Sequence, residues 1–314
     1  MAIITDFSQV EETYAKAGEK GWLIPCFCTE NLTTCEAVLS AAQDYAVAGG
    51  YKKIPVTLAI TVRYNHRSQS QNYTHTRRWD TGLKLFRSDM GVLGEEGGPF
   101  PNVDILLHLD HVQHDADAEL LEWDLSGYSS IMYDASTLPF HENICKTAAF
   151  VEKMNKKIFI EGACDEIFNA GGDVHNALTT PENAKRYASK TGVDLIVANL
   201  GTEHRASGQD LHYHDDIARR IRDIIGHRIV LHGLSSVSLD QVKNLYDDGI
   251  CKVNIWTMLE RDTAPVLLHE MIKNSDKIAG PGKKLSHFTT VYRQDIIFTE
   301  MKKIVYKFLE MWFR

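Results

Sequence analysis

Val103-Asp104-Ile105-Leu106-Leu107-His108-Leu109-Asp110-His111 is the stretch on which the reading of the fold turns. The apolar run from Val103 to Leu107 reads as a buried strand. The His108-Leu109-Asp110-His111 that follows sets a carboxylate beside an imidazole where that strand gives way to a loop. Two later strands end the same way. Leu195 to Asn199 runs into Gly201-Thr202-Glu203-His204, and Arg228 to Leu231 runs into His232-Gly233. Three histidines at the carboxyl ends of three strands can converge on one metal ion, with Asp110 beside it.

Working outward, short apolar runs recur at 22–28, 54–60, 103–109, 128–132, 157–160, 193–199, 228–231 and 250–255. Amphipathic stretches with helical spacing lie between most of them, at 33–47, 115–125, 143–154, 181–190, 215–225 and 239–247. Thr180-Pro181-Glu182 and Ser238-Leu239-Asp240 read as helix starts, each a hydroxyl cap with an acid in the first turn. Gly127, Gly192 and Gly249 stand between a helix and the next strand, where a left-handed helix end favours glycine. Eight strands alternating with helices predict an α/β fold, the (β/α)8 TIM barrel, whose active sites sit at the carboxyl ends of the strands. A doubly wound open sheet is the competing fold.

The 314 residues, 44% hydrophobic and 24% charged, suffice for a full core. The division expected is one barrel domain over 1–314, with an inserted loop region at about 63–101 and a C-terminal helical extension at about 275–314. The insertion is rich in basic residues, Arg63, His66, Arg67, His75, Arg77 and Arg78, read mostly as a solvated face. It is expected to hold the second barrel helix as well as a loop. A second long connection, 162–180, and the long loop of 63–101 are of the kind that serve as lids on a barrel's catalytic face. Residues 301–314 form an amphipathic helix through Val305, Phe308, Leu309 and Trp312, expected to pack on the barrel or on another subunit.

A net charge of −8 argues against nucleic acid or an anionic membrane surface as main partner. No stretch approaches the roughly 18 to 20 apolar residues of a membrane-spanning helix, and Met1-Ala2-Ile3-Ile4-Thr5-Asp6 lacks the pattern of a secretory signal. Six scattered cysteines read as reduced, buried thiols of a cytoplasmic protein.

Neutral imidazole suits Zn²⁺, and a catalytic zinc keeps three protein ligands with one position open. His111, His204 and His232 fit that set. Among fourteen histidines a single strand-end placement means little, but three of three, one beside an acid, carries weight. Asp110 is open to three roles: an orienter of a ligand, a ligand itself, or a proton carrier beside a carbonyl polarised by the metal.

His108-Leu109-Asp110-His111, Gly201-Thr202-Glu203-His204, Val230-Leu231-His232-Gly233 and Lys252-Val253-Asn254-Ile255 resemble, in order and spacing, the signature blocks of the class II, zinc-dependent fructose-bisphosphate and tagatose-bisphosphate aldolases. The likeness spans about 24–257, with 131–136 and Ile160-Glu161 as weaker blocks. It implies a (β/α)8 barrel, one Zn²⁺ on His111, His204 and His232, a monovalent cation as a further cofactor, and Asp110 as acid/base. The implied reaction is retro-aldol cleavage of a sugar or sugar phosphate through a metal-stabilised enediolate. Gly233, Ser235, Asn254 and Thr257 fall where the family holds substrate phosphate. Asp134 and Glu161 fall where it has supporting carboxylates, and a homodimer or homotetramer is the implied assembly.

The departures bear on substrate. Arg205 stands where the family has glycine after its second histidine, and Gly233-Leu234-Ser235-Ser236 replaces a glycine-rich run. Those glycines let backbone N–H groups approach a phosphate, and a β-carbon there threatens the loop. Trp256 replaces an expected aspartate, Ala163 an expected glutamate and Cys28 an expected asparagine. Arg205 suits an anion through its two-pronged guanidinium, or a structural ion pair. Ser236 joins it as a candidate substrate contact, while Trp256 reads mainly as packing. The reading is a lyase acting on an atypical ketose or ketose phosphate. True bisphosphate cleavage with a remodelled phosphate loop, or a catalytically silent scaffold or regulatory relative, are the alternatives.

Overall fold

The computed structural model describes residues 3–64, 67–166, 178–202 and 213–313. Eight parallel strands close into a barrel in chain order, β1 (Ile24–Cys28), β2 (Ile54–Thr61), β3 (Val103–Gln113), β4 (Ser130–Asp134), β5 (Phe159–Ala163), β6 (Leu195–Val197), β7 (Ile229–Leu231) and β8 (Ile250–Ile255). β8 pairs back onto β1, Asn254 opposite Cys26 and Ile255 opposite Phe27, which excludes the open doubly wound sheet. Every strand is buried along almost its whole length, as expected where side chains fill a barrel on one face and meet helices on the other.

Twelve helices surround the strands among the described residues: α1 (Phe7–Glu19), α2 (Leu32–Ala48), α3 (Gln69–Asn72), α4 (Trp79–Leu93), α5 (Phe140–Met154), α6 (Pro181–Thr191), α7 (Asp215–Ile225), α8 (Leu239–Val242), α9 (Thr257–Lys273), α10 (Ser275–Ala279), α11 (Leu285–Phe288) and α12 (Thr290–Trp312). The two hydroxyl caps are in place. Thr180 accepts from the Asn183 N–H and Ser238 from that of Gln241, each satisfying an otherwise orphan donor of the first turn. Gly192 (φ 72°) and Gly249 (φ 103°) are left-handed, as expected. Gly127 is not; it is needed for close approach, since a β-carbon there would lie 2.2 Å from the Arg87 guanidinium.

Two expected helices come out short. Over 115–125 the chain makes turns and a single 3-10 turn, Leu120–Glu122, because Asp117 spends its carboxylate on the Gln113 and Arg63 N–H groups and folds the segment back. The stretch 239–247 is helical only through Val242 and continues as turns. α1 packs Phe7 and Tyr14 on Phe159 at the start of β5, covering the amino ends of the strands. α12 lies on α2 and α9, burying Val305, Phe308, Leu309 and Trp312. The insertion between β2 and β3 contains α3 and α4. None of the six cysteines is in a disulfide; five are buried and Cys145 is exposed. No helix among the described residues is long and apolar enough to cross a membrane.

Candidate active site

β3 does not give way to a loop at His108. It runs to Gln113, with an irregularity in its pairing to β4 between Leu109 and Val112. Alternation along a strand sends neighbouring side chains to opposite faces. His111 escapes that rule by adopting φ 47°, a left-handed conformation rare for a residue with a β-carbon. The bulge lets Asp110 and His111 serve one mouth of the barrel, a recurrent use of such irregularities next to active sites.

His232, immediately after β7, comes to the same mouth. One ligand atom each from Asp110, His111 and His232 lies within 4.8 Å of the others, and all three residues are buried. The imidazole rings of His111 and His232 meet edge to face at 4.9 Å. His204 and Arg205 lie outside the described residues.

The surroundings of His111 suit a ligand. Its Nδ1 is 3.1 Å from Asp134 Oδ2, which leaves the lone pair on Nε2 and fixes the ring. Asp134 in turn accepts from the Ser136 N–H and hydroxyl at 3.0 and 2.6 Å. Burial alone would raise the Asp134 pKa, but His111 and Ser136 hold it below the usual range. Tyr64, from the β2–α3 connection, stacks flat on the His111 ring at 4.3 Å. Buried imidazoles with one carboxylate-oriented ring match the donor set of a divalent transition-metal site.

Asp110 has a partner on each oxygen. Oδ1 accepts from Asn254 Nδ2 at 2.9 Å; Oδ2 faces Arg67 Nη2 at 3.0 Å and the Cys28 thiol at 3.5 Å. Burial pushes its pKa up, yet His111, His108, His232 and Arg67 together bring it well below the usual carboxylate range. Below it in the barrel, Lys252 Nζ bonds Glu161 Oε1 at 2.5 Å, and His108 Nε2 lies 3.6 Å from Glu161 and 3.8 Å from Asp110. Burial would lower the Lys252 pKa, but Cys26, Glu161 and Asp110 keep it raised. A buried ammonium is tolerable only with such partners.

A narrow cleft opens beside this cluster. Its lining includes four expected substrate contacts, Gly233, Ser235, Asn254 and Thr257. Gly233 takes φ 72° and leads into the 3-10 turn Leu234–Ser236, which the Ser236 N–H closes onto the Gly233 carbonyl at 2.9 Å. The left-handed position thus falls on the retained glycine, and Leu234, in the right-handed turn, buries its side chain. Thr257 starts α9. Trp256 packs on Cys26, Cys28 and Ala59 and donates its indole N–H to Glu30 at 2.6 Å.

Arg67 is a correction. Read as part of a solvated face, it is instead 11% exposed, paired with Asp110, with its guanidinium 5.0 Å from the Trp256 ring centroid. It and Tyr64 come from an irregular connection with no periodicity to place them. Lys252 was legible only as part of a sequence block, without a role.

The family model for class-II fructose-bisphosphate aldolase matches residues 8–312. The chain belongs to this family. It is 29% identical over 264 residues to the fructose-bisphosphate aldolase of Streptococcus pyogenes serotype M1, covering 82% of this chain and 80% of that protein. Among solved structures it is similar to a fructose-bisphosphate aldolase from Campylobacter jejuni, with TM-score 0.77, 18% identity, and 99% and 95% of the two chains covered. The YdjI aldolase from Escherichia coli K12 gives TM-score 0.69 at 19% identity, with 96% of each chain covered. At these identities the two structures speak for the fold. Membership makes the chain a lyase of the aldolase type, in a family that works with a metal ion.

Proposed function

We propose that this aldolase is zinc-dependent and cleaves a ketose or ketose phosphate other than the usual bisphosphate. His111, His204 and His232 would hold the ion, with Asp134 orienting His111 and the Glu161–Lys252 pair supporting the site from below. The observation that carries the reading is the gathering of Asp110, His111 and His232 within 4.8 Å at the carboxyl ends of the strands.

When bound, the cation supplies a Lewis acid that polarises the ketose carbonyl and stabilises the negative charge developing on it. Asp110 starts as a carboxylate, accepting from Asn254, Arg67 and the Cys28 thiol. It accepts the proton of the hydroxyl on the carbon that becomes the aldehyde. The carbon–carbon bond then breaks, its electron pair passing toward the carbonyl side. Returning a proton to the carbonyl-side carbon left with that electron pair gives a dihydroxyacetone-type product. Asn254 and Arg67 hold the carboxylate still through this exchange. Gly233, Ser235, Ser236, Asn254, Thr257 and Arg205 are the proposed substrate contacts, and a monovalent cation is a further proposed cofactor.

The altered loop after β7, with Leu234 and Ser236 in place of glycines, supports an atypical substrate over true fructose- or tagatose-bisphosphate cleavage. We read the whole chain as one barrel domain with its insertion at 63–101 and helical extension at 275–314, acting in the cytoplasm as a homodimer or homotetramer. Exposed Leu285, Phe288 and Val291 on the extension, with Leu268 and Ile272 on α9 before it, support self-association.

A coupled assay of triose phosphate and aldehyde release tests the reading, with fructose and tagatose bisphosphates set against ketose monophosphates and acidic ketoses. Faster cleavage of a non-bisphosphate ketose is expected. Equal or better turnover of a bisphosphate would restore the ordinary family substrate. No cleavage of any ketose by metal-loaded protein would favour a silent scaffold.

A further inference from the structure

Arg67 is, His232 aside, the one cationic side chain among the described residues lining the cleft. It spends Nη2 on Asp110, while its Nε–H is buried without a hydrogen-bond partner. A guanidinium carries five N–H donors, and Arg–carboxylate pairs tend to use two of them in parallel. Here the second oxygen of Asp110 belongs to Asn254, so the pair is single-pronged. The loop after β7 contributes a second unmet group to the same cleft: Ser235 Oγ is also buried with no partner. Buried polar groups left unpaired are costly and rare in a folded protein. Two of them on residues that line one cleft call for a ligand that supplies acceptors.

The guanidinium is also held in place. Its plane lies near the Trp256 ring, whose indole N–H is tied to Glu30, and Glu30 accepts from Gln69 Nε2 at 3.2 Å. Leu234 meanwhile fills space on a loop where glycines would otherwise let backbone N–H groups come close to an anion.

We propose that Arg67 is a specificity-determining residue of this aldolase: its Nε–H, with the Ser235 hydroxyl, binds an anionic oxygen group, phosphate or carboxylate, carried by the substrate. The proposal rests on the aldolase reading above and names the chemistry that the atypical substrate must carry.

Calorimetric titration of the metal-loaded full chain with inorganic phosphate, and separately with glycolate, tests it in wild type, Arg67→Lys, Ser235→Ala and the double variant. Arg67→Lys keeps a positive charge beside Asp110 and removes the Nε donor. Circular dichroism and metal content therefore separate a lost contact from a lost fold. One of the two anions binds at one per chain, and each single variant weakens it roughly tenfold to hundredfold, the range of a charge-assisted hydrogen bond. The double variant loses less than the product of the two, because both donors meet one group. A larger effect on phosphate identifies a phosphate ester, and on glycolate a carboxylate. Unchanged affinity for both anions in Arg67→Lys, or saturation by neither anion in wild type, overturns the proposal. Ketose cleavage assayed in parallel keeps the two readings apart. An active enzyme whose anion affinity ignores Arg67 leaves the aldolase reading standing, whereas an inactive protein that binds anions through Arg67 overturns that reading and keeps the site.

Discussion

At His111 a left-handed backbone, a carboxylate at Nδ1 and a tyrosine ring at 4.3 Å combine to aim one imidazole. Asp134→Ala removes the orienting bond, and a metal affinity about 10- to 100-fold weaker is expected from the loss of such a partner, read by competition with a chelator. Affinity equal to wild type would move that role elsewhere. Asp110→Ala should keep its metal while turnover falls by ~10² to 10⁴, the range for a lost general acid or base; steady-state kinetics on the best ketose decides. The side chains that form this centre differ in how readable they were. Asp110 and His111, near the carboxyl end of β3, and His232, just after β7, could be picked from the chain alone. Arg67 could not, because its contact with Asp110 depends on the path of an irregular loop between β2 and α3. The His111 bulge was equally hidden: alternation within a strand is legible, whereas a one-residue break in register depends on the partner strand.

Among the elements, all eight strands were legible as apolar runs, their bounds within two residues except at the carboxyl ends of β3 and β5, which run four and three residues further. The segment 115–125 misled because its periodicity is helical while Asp117 caps backbone donors of another element. The insertion holds together through a close approach of α3 and α4 at Gly82, where a β-carbon would sit 1.8 Å from the Ser70 carbonyl oxygen. Gly82→Ala must push these helices apart, with about 1 to 3 kcal/mol lost as for other overpacked sites. Thermal melting should show the drop, accompanied by a raised KM as the Tyr64–Arg67 connection shifts. A melting temperature equal to wild type would deny the contact. Between β5 and β6, burial pushes Asp194 up to about 6, against the Ile160 N–H and Arg228, which both favour its charged form. Its folded pKa exceeds the unfolded value of about 3.9. The protonated form therefore contributes stability below about pH 4, and that contribution is lost as pH rises through about 6. Asp194→Asn keeps an acceptor for Ile160 and should remove this fall, leaving the variant more stable than wild type at pH 7 in urea titrations. Parallel stability curves between pH 4 and 7 would refute the assignment.

Taken whole, the molecule gathers its candidate active site at one end of the barrel and closes the other with α1, while α12 braces the wall at α2 and α9. Phe308, buried on α12, should cost about 3 to 5 kcal/mol when cut to Ala, without any change in the metal bound per folded chain. Retention of full stability would mean that the extension is dispensable to the barrel. The centre at the other end carries the account. Its most direct test is elemental analysis of the purified full chain, before and after chelation, alongside His232→Ala. The account predicts about one zinc per chain, removed by chelator together with activity and missing from the variant. A chain that binds no metal after purification with zinc, or a His232→Ala variant that keeps a stoichiometric ion, would contradict it.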